Sequence, residues 1–152
     1  MDIFDTIRED HEKILGLLDS LEGIDPADVA RQEQMRDHLI ALLEAHTHAE
    51  EALFYPLLAN DDGGRPLMVM ATEQHHVVSL LVEELRHLPA SDEHFAAKCA
   101  VLAENLEDHI EEEEEDIFPI AEELIDEERA KALGQQFQQH VNDALAPQRK
   151  AA

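Results

Sequence analysis

The stretch "EDHIEEEEEDIFP", residues 107–119, sets five consecutive glutamates one residue after a histidine, in a segment that otherwise has the composition of a helix. An earlier stretch, "AHTHAEEALFYP" at residues 45–56, has the same frame: a histidine, three residues, two glutamates, a short apolar patch and a proline. A histidine and the glutamate four positions later share one helix face. Each copy of the frame would therefore project an imidazole and a carboxylate together.

The composition suits one helical domain. The chain has 152 residues, of which 44% are hydrophobic and 4% aromatic, with five Gly and six Pro. Leu, Ala, Glu and Ile dominate and favour helix, whereas a many-stranded fold needs turn residues at shorter intervals. A chain of this length can bury its own core.

The charge and the cysteine content exclude some environments and partners. A formal net charge of -25 repels phosphate backbones and anionic lipid surfaces, so neither nucleic-acid nor membrane binding is expected. The N-terminal "MDIFDTIRED" lacks the pattern of a signal peptide, and no apolar stretch approaches membrane-spanning length. The single cysteine, Cys99, is expected to be a small buried hydrophobe, and its isolation fits a reducing compartment. We therefore expect a cytoplasmic protein.

Apolar residues recur at helical spacing in four long segments. They predict helices over about residues 2–21, 27–59, 66–88 and 92–125, and a shorter one over about 127–144. Short connections make consecutive helices antiparallel neighbours, which predicts an all-α, up-down-up-down four-helix bundle with a short C-terminal extra helix. The bundle would occupy residues 1–126, and residues 127–152 would pack on it or extend from it. Pro56 and Pro119 should mark kinks or helix ends.

The apolar stripes of the four long helices are interrupted near their middles by polar residues. Each stripe contains one histidine, and the second and fourth also contain a glutamate one turn later. An ionised carboxylate inside a bundle is costly unless it is paired, and two facing carboxylates are worse. A pair of divalent or trivalent cations would compensate both charges. The candidate metal ligands are His11, His46, Glu50, His75, His109 and Glu113.

The spacing of these residues predicts a pseudo-two-fold site. His46 follows His11 by 35 residues, and His109 follows His75 by 34. Each half of the chain thus supplies one histidine and then a His-x-x-x-Glu pair. Each of two metal ions would take two histidine nitrogens and share both carboxylates. An oxo, hydroxo or water bridge would then leave a position open for a small molecule. Nitrogen and oxygen ligands without thiolate suit Fe, Mn or Zn.

This ordered set of six residues, with a matching proline in each half, resembles the hemerythrin-like family, also called the HHE domain, over about residues 2–125. The resemblance implies a four-helix bundle around a non-haem di-iron centre, with terminal histidines, two bridging carboxylates and an oxo or hydroxo bridge. It also implies a role in binding or sensing O2, peroxide or nitric oxide, in iron handling, or in the response to oxidative or nitrosative stress.

The chain departs from the oxygen-carrying members in two places. Carriers have a further histidine one turn before the third-helix histidine, where this chain has Ala71, and an aspartate where it has Glu113. One iron would therefore lack a third histidine. Glu73, His76 and His48 are the nearby residues that could replace it. A more open and symmetric site favours redox, peroxidatic or sensing chemistry over reversible O2 carriage.

Most other charged side chains near the frames are expected at the surface. Of the glutamate run only Glu113 should face inward, and Glu51 should lie outside the ligand set. Phe54, Tyr55 and Phe118 should wall the site, and Tyr55 could donate a hydrogen bond to a bound ligand. The glutamates predicted to lie at the surface are Glu111, Glu112, Glu114 and Glu115. The histidines predicted to be exposed or partly buried are His38, His48, His76, His87, His94 and His140.

Three functions agree with these patterns. The first is a di-iron module that binds or senses a small molecule. The second is a redox enzyme, peroxidase-like or nitric-oxide-handling, or else an iron-handling protein. The third is an acidic structural or interaction bundle without metal. The sequence indicates no particular protein partner and no oligomeric state.

Overall fold

The computed structural model describes the backbone of residues 1–151 and the side chains of residues 1–147. The described residues form helices and no strand, and each of these helices is too short or too polar to span a membrane. The α-helices are α1 (Ile3–Glu22), α2 (Val29–Ala49), α3 (Gly64–Arg86), α4 (Phe95–Glu112), α5 (Phe118–Leu124) and α6 (Glu127–Ala151).

Aspartate side chains determine where several helices begin. The carboxylates of Asp2, Asp28 and Asp126 each accept a hydrogen bond from the backbone N–H three residues later, at 2.9, 3.3 and 2.7 Å. Such bonds satisfy N–H groups that have no partner in the first helical turn. The cap at Asp28 explains why α2 begins two residues later than the sequence predicted.

The helices form the predicted up-down-up-down bundle. Consecutive helices α1 to α4 pack side by side, and α4 also packs against α1, which closes the ring. Wholly buried aliphatic side chains such as Ile7, Leu39, Leu85 and Leu102 come from all four helices and form the core. Cys99 lies on this inner side but is only partly buried, so the expectation of a buried cysteine was too strong.

Two π-helical turns interrupt the bundle, one in each half of the chain. They span Glu50–Phe54, directly after α2, and Glu113–Ile117, directly after α4. In each turn the last hydrogen bond runs five residues back, from the N–H of Tyr55 or Phe118 to the carbonyl of the first glutamate. Pro56 and Pro119 come next and have no N–H to offer, so the prediction that they mark kinks or helix ends is confirmed.

Each π turn inserts an extra residue and thereby rotates the residues that follow. A constant helical period along α2 would place Leu53 and Leu57 on the inner face, but both are partly exposed. The neighbouring Phe54 and Leu58 are instead wholly buried. The same period along α4 would place Ile120 on the inner face, and it too is partly exposed. A constant period of 3.6 residues does not hold across a wide turn, and that is the physical reason for these errors.

The tail helix α6 lies along α1 and α2. It reaches Ala151 rather than about residue 144 and contains Pro147, because the residues around that proline are mostly good helix formers. Its contact with the start of α1 is very close. A Cβ atom at Gly134 would lie 2.5 Å from the carbonyl oxygen of Met1 and 2.9 Å from the backbone nitrogen of Ile3. Only glycine fits there.

Candidate metal centre

The structure brings all six predicted ligands together in the interior of the bundle. None of their side chains belongs to a residue more than 6% exposed, and both glutamates are wholly buried. Two groups of potential ligand atoms each lie within 4.8 Å of one another: the first comes from His11, His46 and Glu50, and the second from Glu50, His75 and His109. The donors therefore form two adjoining clusters that share Glu50.

The two carboxylates lie between these clusters. Glu50 Oε1 is in direct contact with His46 Nε2 and lies 3.9 Å from His75 Nε2. Glu113 reaches the other two histidines, with Oε1 3.3 Å from His11 Nε2 and Oε2 3.6 Å from His109 Nε2. Each carboxylate thus approaches one histidine from each half, as shared ligands of two cations would.

Several buried atoms of this cluster have no hydrogen-bond partner among the residues whose side chains the structure describes. They are Nε2 of His11 and His46, both oxygens of Glu50 and Oε1 of Glu113. Leaving such atoms without partners is costly. Imidazole nitrogens and carboxylate oxygens are common ligands of divalent cations, so this donor set fits a metal pair.

The pKa values in the cluster show the conflict between its buried charges. Burial and the negative charge of Glu113 raise the pKa of Glu50 well above its ordinary value. Burial opposes ionisation of Glu113 too, but its contacts with Glu50 and His11 lower its pKa. Burial lowers the pKa of His109 to about 4, which keeps this imidazole neutral and able to ligate. Burial also lowers the pKa of His11, but contacts with Glu113 and Glu114 outweigh that effect and raise it.

The histidines of the first half are each held from outside by a carboxylate. His46 Nδ1–H donates to Asp10 Oδ2 at 3.1 Å, and His11 Nδ1–H donates to Glu114 Oε2 at 2.9 Å. Asp10 is only 7% exposed. A hydrogen bond at Nδ1 fixes the tautomer and leaves the Nε2 lone pair directed at the centre.

The histidines of the second half have different outer neighbours. His109 Nδ1–H donates to the amide oxygen of Gln74 at 2.6 Å, and the amide nitrogen of Gln74 donates to Glu112 at 2.7 Å. His75 Nδ1 makes no hydrogen bond with the described side chains. The nearest carboxylate oxygen belongs to Glu51, at 3.6 Å, on a side chain that is 43% exposed.

Sequence reasoning missed three of these outer partners. Glu114 was predicted to lie at the surface, but the π turn rotates it toward His11, and it is only partly exposed. Asp10 and Gln74 were not singled out, although each directly precedes the first histidine of its half, His11 or His75. The duplicated position was the signal that could have found them.

Tyr55 lies inside the cluster rather than in its wall. Its O–H donates to Glu113 Oε2 at 2.7 Å, and its oxygen lies 3.0 Å from His75 Nε2 and 3.5 Å from His109 Nε2. Burial raises the pKa of the phenol well above its ordinary value, so the proton stays on the oxygen. The equivalent residue of the second half is Phe118, and the oxygen is therefore found at one end of the centre only.

The remaining side-chain predictions agree with the structure. Ala71 is buried and offers no ligand atom. Glu73, His76 and His48 are exposed and do not reach the cluster. The other histidines predicted to be exposed or partly buried are so as well: His38, His87, His94 and His140.

Aromatic rings enclose the centre. Phe54 and Phe118 are wholly buried, with ring centroids 5.5 Å apart in an edge-to-face arrangement. Phe137 of α6 packs edge-to-face on the His46 ring at 5.7 Å. The tail helix thus covers the first-half side of the cluster, where water would otherwise reach His46.

Comparisons with known proteins agree with this geometry. The chain is similar to an uncharacterized hemerythrin-like protein of Schizosaccharomyces pombe, at 25% identity over 90% of this chain and 67% of that protein. It is 26% identical to a DNA nickase of Nostoc, again over 90% of this chain but only 38% of the relative.

A similar fold occurs in the crystal structure of a hemerythrin HHE cation binding domain-containing protein from Mycobacterium kansasii. The two structures superpose with a TM-score of 0.83 over 95% of this chain and 87% of the other, at 23% identity. The family model of the hemerythrin HHE cation binding domain matches residues 2–121. With that match over most of its length, the chain belongs to the hemerythrin HHE cation-binding domain family.

Proposed function

We propose that the six buried residues hold a non-haem di-iron centre that binds or reacts with O2, peroxide or nitric oxide in sensing or stress response. The observation that carries this proposal is the set of unpartnered imidazole nitrogens and carboxylate oxygens in two clusters joined by Glu50. Two cations would compensate the charges of Glu50 and Glu113 and supply the missing partners.

Iron is proposed because of the family and the ligand chemistry together. Nitrogen and oxygen donors also suit Mn and Zn, and raw affinity does not separate these metals. When bound, a pair of iron ions would supply redox chemistry and an open coordination position. The chain itself would direct imidazole nitrogens of four histidines at the ions, and would exclude bulk water with aromatic rings.

A redox enzyme is the second candidate, and Tyr55 is the observation that favours it. Its protonated hydroxyl is fixed 2.7 Å from Glu113 Oε2 at the centre. Cleavage of a peroxide O–O bond places negative charge on the departing oxygen, and removal of one fixed hydrogen-bond donor from such charge slows comparable reactions by about 100-fold or more. A Tyr55→Phe variant should keep its iron but decompose peroxide about 100-fold more slowly.

The first test counts metal and records a spectrum. Freshly purified protein should contain about two iron ions per chain, and its anaerobically reduced form should change its charge-transfer absorption on exposure to O2 or nitric oxide. Protein without metal, with a melting temperature unaffected by chelators, would instead support the acidic structural bundle.

Variants identify the residues that hold the metal. His46→Ala and Glu113→Ala should reduce the iron content, because each removes one ligand and Glu113 is shared. Glu111→Ala is the matched control, since Glu111 lies in the same glutamate run but is exposed. Equal iron content in all three variants would contradict the proposed ligand set.

Nickase activity is not proposed for this chain. The match covers 38% of the relative with that name, and the net charge of -25 disfavours the approach of a DNA backbone. A small-molecule ligand and a cytoplasmic setting suit the acidic surface and the single cysteine better.

A further inference from the structure

The internal duplication extends beyond the six central residues to their outer partners. Asp10 in the first half and Gln74 in the second directly precede the first histidine of their half. Each bonds the other histidine of its own half. Glu51 and Glu114 directly follow the equivalent glutamates, and each faces a histidine of the opposite half. Four outer positions are therefore related by the same pseudo-two-fold symmetry.

The chemistry at these four positions is not symmetric. Two carboxylates serve the first-half histidines: Asp10 at 3.1 Å from His46 Nδ1 and Glu114 at 2.9 Å from His11 Nδ1. Asp10 is 7% exposed, so water screens its charge poorly. A carboxylate that accepts the Nδ1–H bond raises the basicity of Nε2 and so strengthens its bond to a cation.

The second-half histidines lack comparable support. Gln74 offers His109 a neutral amide oxygen, and its bond to Glu112 fixes the amide in that orientation. Glu51 lies 3.6 Å from His75 Nδ1, beyond hydrogen-bond geometry, on a 43% exposed side chain whose charge is screened by water. The Tyr55 hydroxyl also donates a hydrogen bond to Glu113 Oε2 at this end. That bond draws electron density from the carboxylate and weakens it as a metal ligand.

We infer that the position formed by His11 and His46 retains its cation more tightly than the position formed by His75 and His109. Asp10 and Gln74 act as positioning residues that set this difference through the histidines they hold. The inference rests on the proposed function in one respect, namely that two cations occupy the centre. It adds a prediction of which of the two cations dissociates first.

The experiment follows the release of iron from each position. Metal-free protein is loaded with two equivalents of Fe2+ without O2 and mixed with excess ferrozine, whose coloured complex counts the iron released with time. The unmodified chain should show two phases, each close to one iron per chain. Two equivalent ions sharing ligands could also leave in succession, so substitutions assign the phases.

Asp10→Asn keeps the shape of the side chain and removes its charge. It should accelerate the slow phase by about 10–100-fold, which is the usual effect of losing such an outer partner, and leave the fast phase nearly unchanged. Gln74→Glu combined with Glu112→Gln exchanges amide and carboxylate, which preserves their mutual hydrogen bond. It should slow the fast phase and leave the slow one unchanged.

Controls and a second readout separate this role from a merely structural one. Glu111→Gln, in the exposed part of the same run, should change neither phase. Glu112→Gln alone is the reference for the double variant, because its amide oxygen can still accept from Gln74. In the iron-57 Mössbauer spectrum the unmodified chain should give two quadrupole doublets, and the Asp10→Asn variant should shift only one of them.

The outcomes distinguish this inference from the proposed function. A chain that takes up no iron contradicts both. A chain that takes up two ions and releases them at a single rate contradicts only the inference. The inference also fails if Asp10→Asn and the Gln74/Glu112 exchange alter the same phase.

Discussion

Glu50 is a carboxyl group in an environment that opposes its ionisation. It is wholly buried beside Glu113, and burial and that neighbouring charge raise its pKa. A neutral side chain of the same shape removes the conflict but also removes a proposed metal ligand. Stability and metal binding should therefore respond in opposite directions to one substitution.

Glu50→Gln should stabilise the metal-free protein and weaken its response to metal. The gain at neutral pH should be about 1–3 kcal/mol, as expected when a poorly paired buried charge is removed. Urea unfolding of chelator-treated protein measures it, and the same titration after addition of Fe2+ should show a smaller increase for the variant. A metal-free variant less stable than the unmodified chain would contradict the account of the site.

The stabilisation by Glu50→Gln should depend on pH. The folded-state pKa of Glu50 is raised above the unfolded value near 4.5, so the folded chain binds more protons above that pH. The stability contributed by protonated Glu50 is thus lost as pH rises. Gln cannot titrate, and the advantage of the variant should be larger at pH 8 than at pH 5. An advantage that is equal at both pH values would show that the carboxyl group is not responsible.

Cys99 should react slowly while the chain is folded. Partial burial raises its pKa from 9.0 to about 11, and only the thiolate is nucleophilic. Alkylation by iodoacetamide at pH 8 should be about 100-fold slower than in urea, and its rate should keep rising past pH 9. A folded-state rate that levels off near pH 9 would disprove the raised pKa.

Among the secondary-structure elements, the two π turns determine where prediction from helical periodicity stops being correct. The six central donors precede or begin these turns, so a regular helical period was enough to predict which of them face inward. Residues within and after the turns do not follow that period. The sequence therefore predicted Glu114 at the surface and Tyr55 in the wall of the site rather than inside the cluster. The proline six residues after each glutamate was the local signal that regular geometry ends there.

The packing of α6 on α1 predicts the effect of one glycine. Gly134→Ala puts a methyl group 2.5 Å from the Met1 carbonyl oxygen, so one of the two backbones must shift. The free energy of unfolding should fall by about 1–3 kcal/mol, as for other overpacked sites.

Gly16→Ala is the matched control for that substitution. Gly16 lies within α1 with no atom close enough to meet an added Cβ. Because Ala is the better helix former, this change should raise the free energy of unfolding by about 0.5–1 kcal/mol. Equal effects of the two substitutions would show that α6 does not pack closely on the N-terminus of α1.

Charge dominates at the scale of the whole molecule. A net charge of -25 on 152 residues means that folding brings like charges together. Raising NaCl from about 0.02 M to about 0.5 M should stabilise the metal-free protein by about 1 kcal/mol at neutral pH, because screening weakens that repulsion. The effect should vanish near pH 4.4, where the net charge is close to zero. A salt response unchanged at that pH would point to another cause.

The whole bundle and its family were predictable because both depend on long, regular patterns. Four apolar stripes joined by short connections predicted the arrangement of the helices, and nothing in that inference needed exact boundaries. The course of α6 was not predictable, because its apolar face could have covered several grooves. Gly134 packs against the start of α1 through backbone atoms of Met1, Asp2 and Ile3. A pattern of side chains does not reveal such a contact.

The sharing of both carboxylates between the halves has a consequence for synthesis. A nascent chain that has emerged only through the first π turn exposes His11, His46 and Glu50. Glu113 and Glu114 are then still inside the ribosome or not yet synthesised. Neither of the two proposed cations could be fully enclosed until the last bundle helix docks. Capture of metal should therefore mark the completion of folding, and unfinished or truncated chains should remain empty.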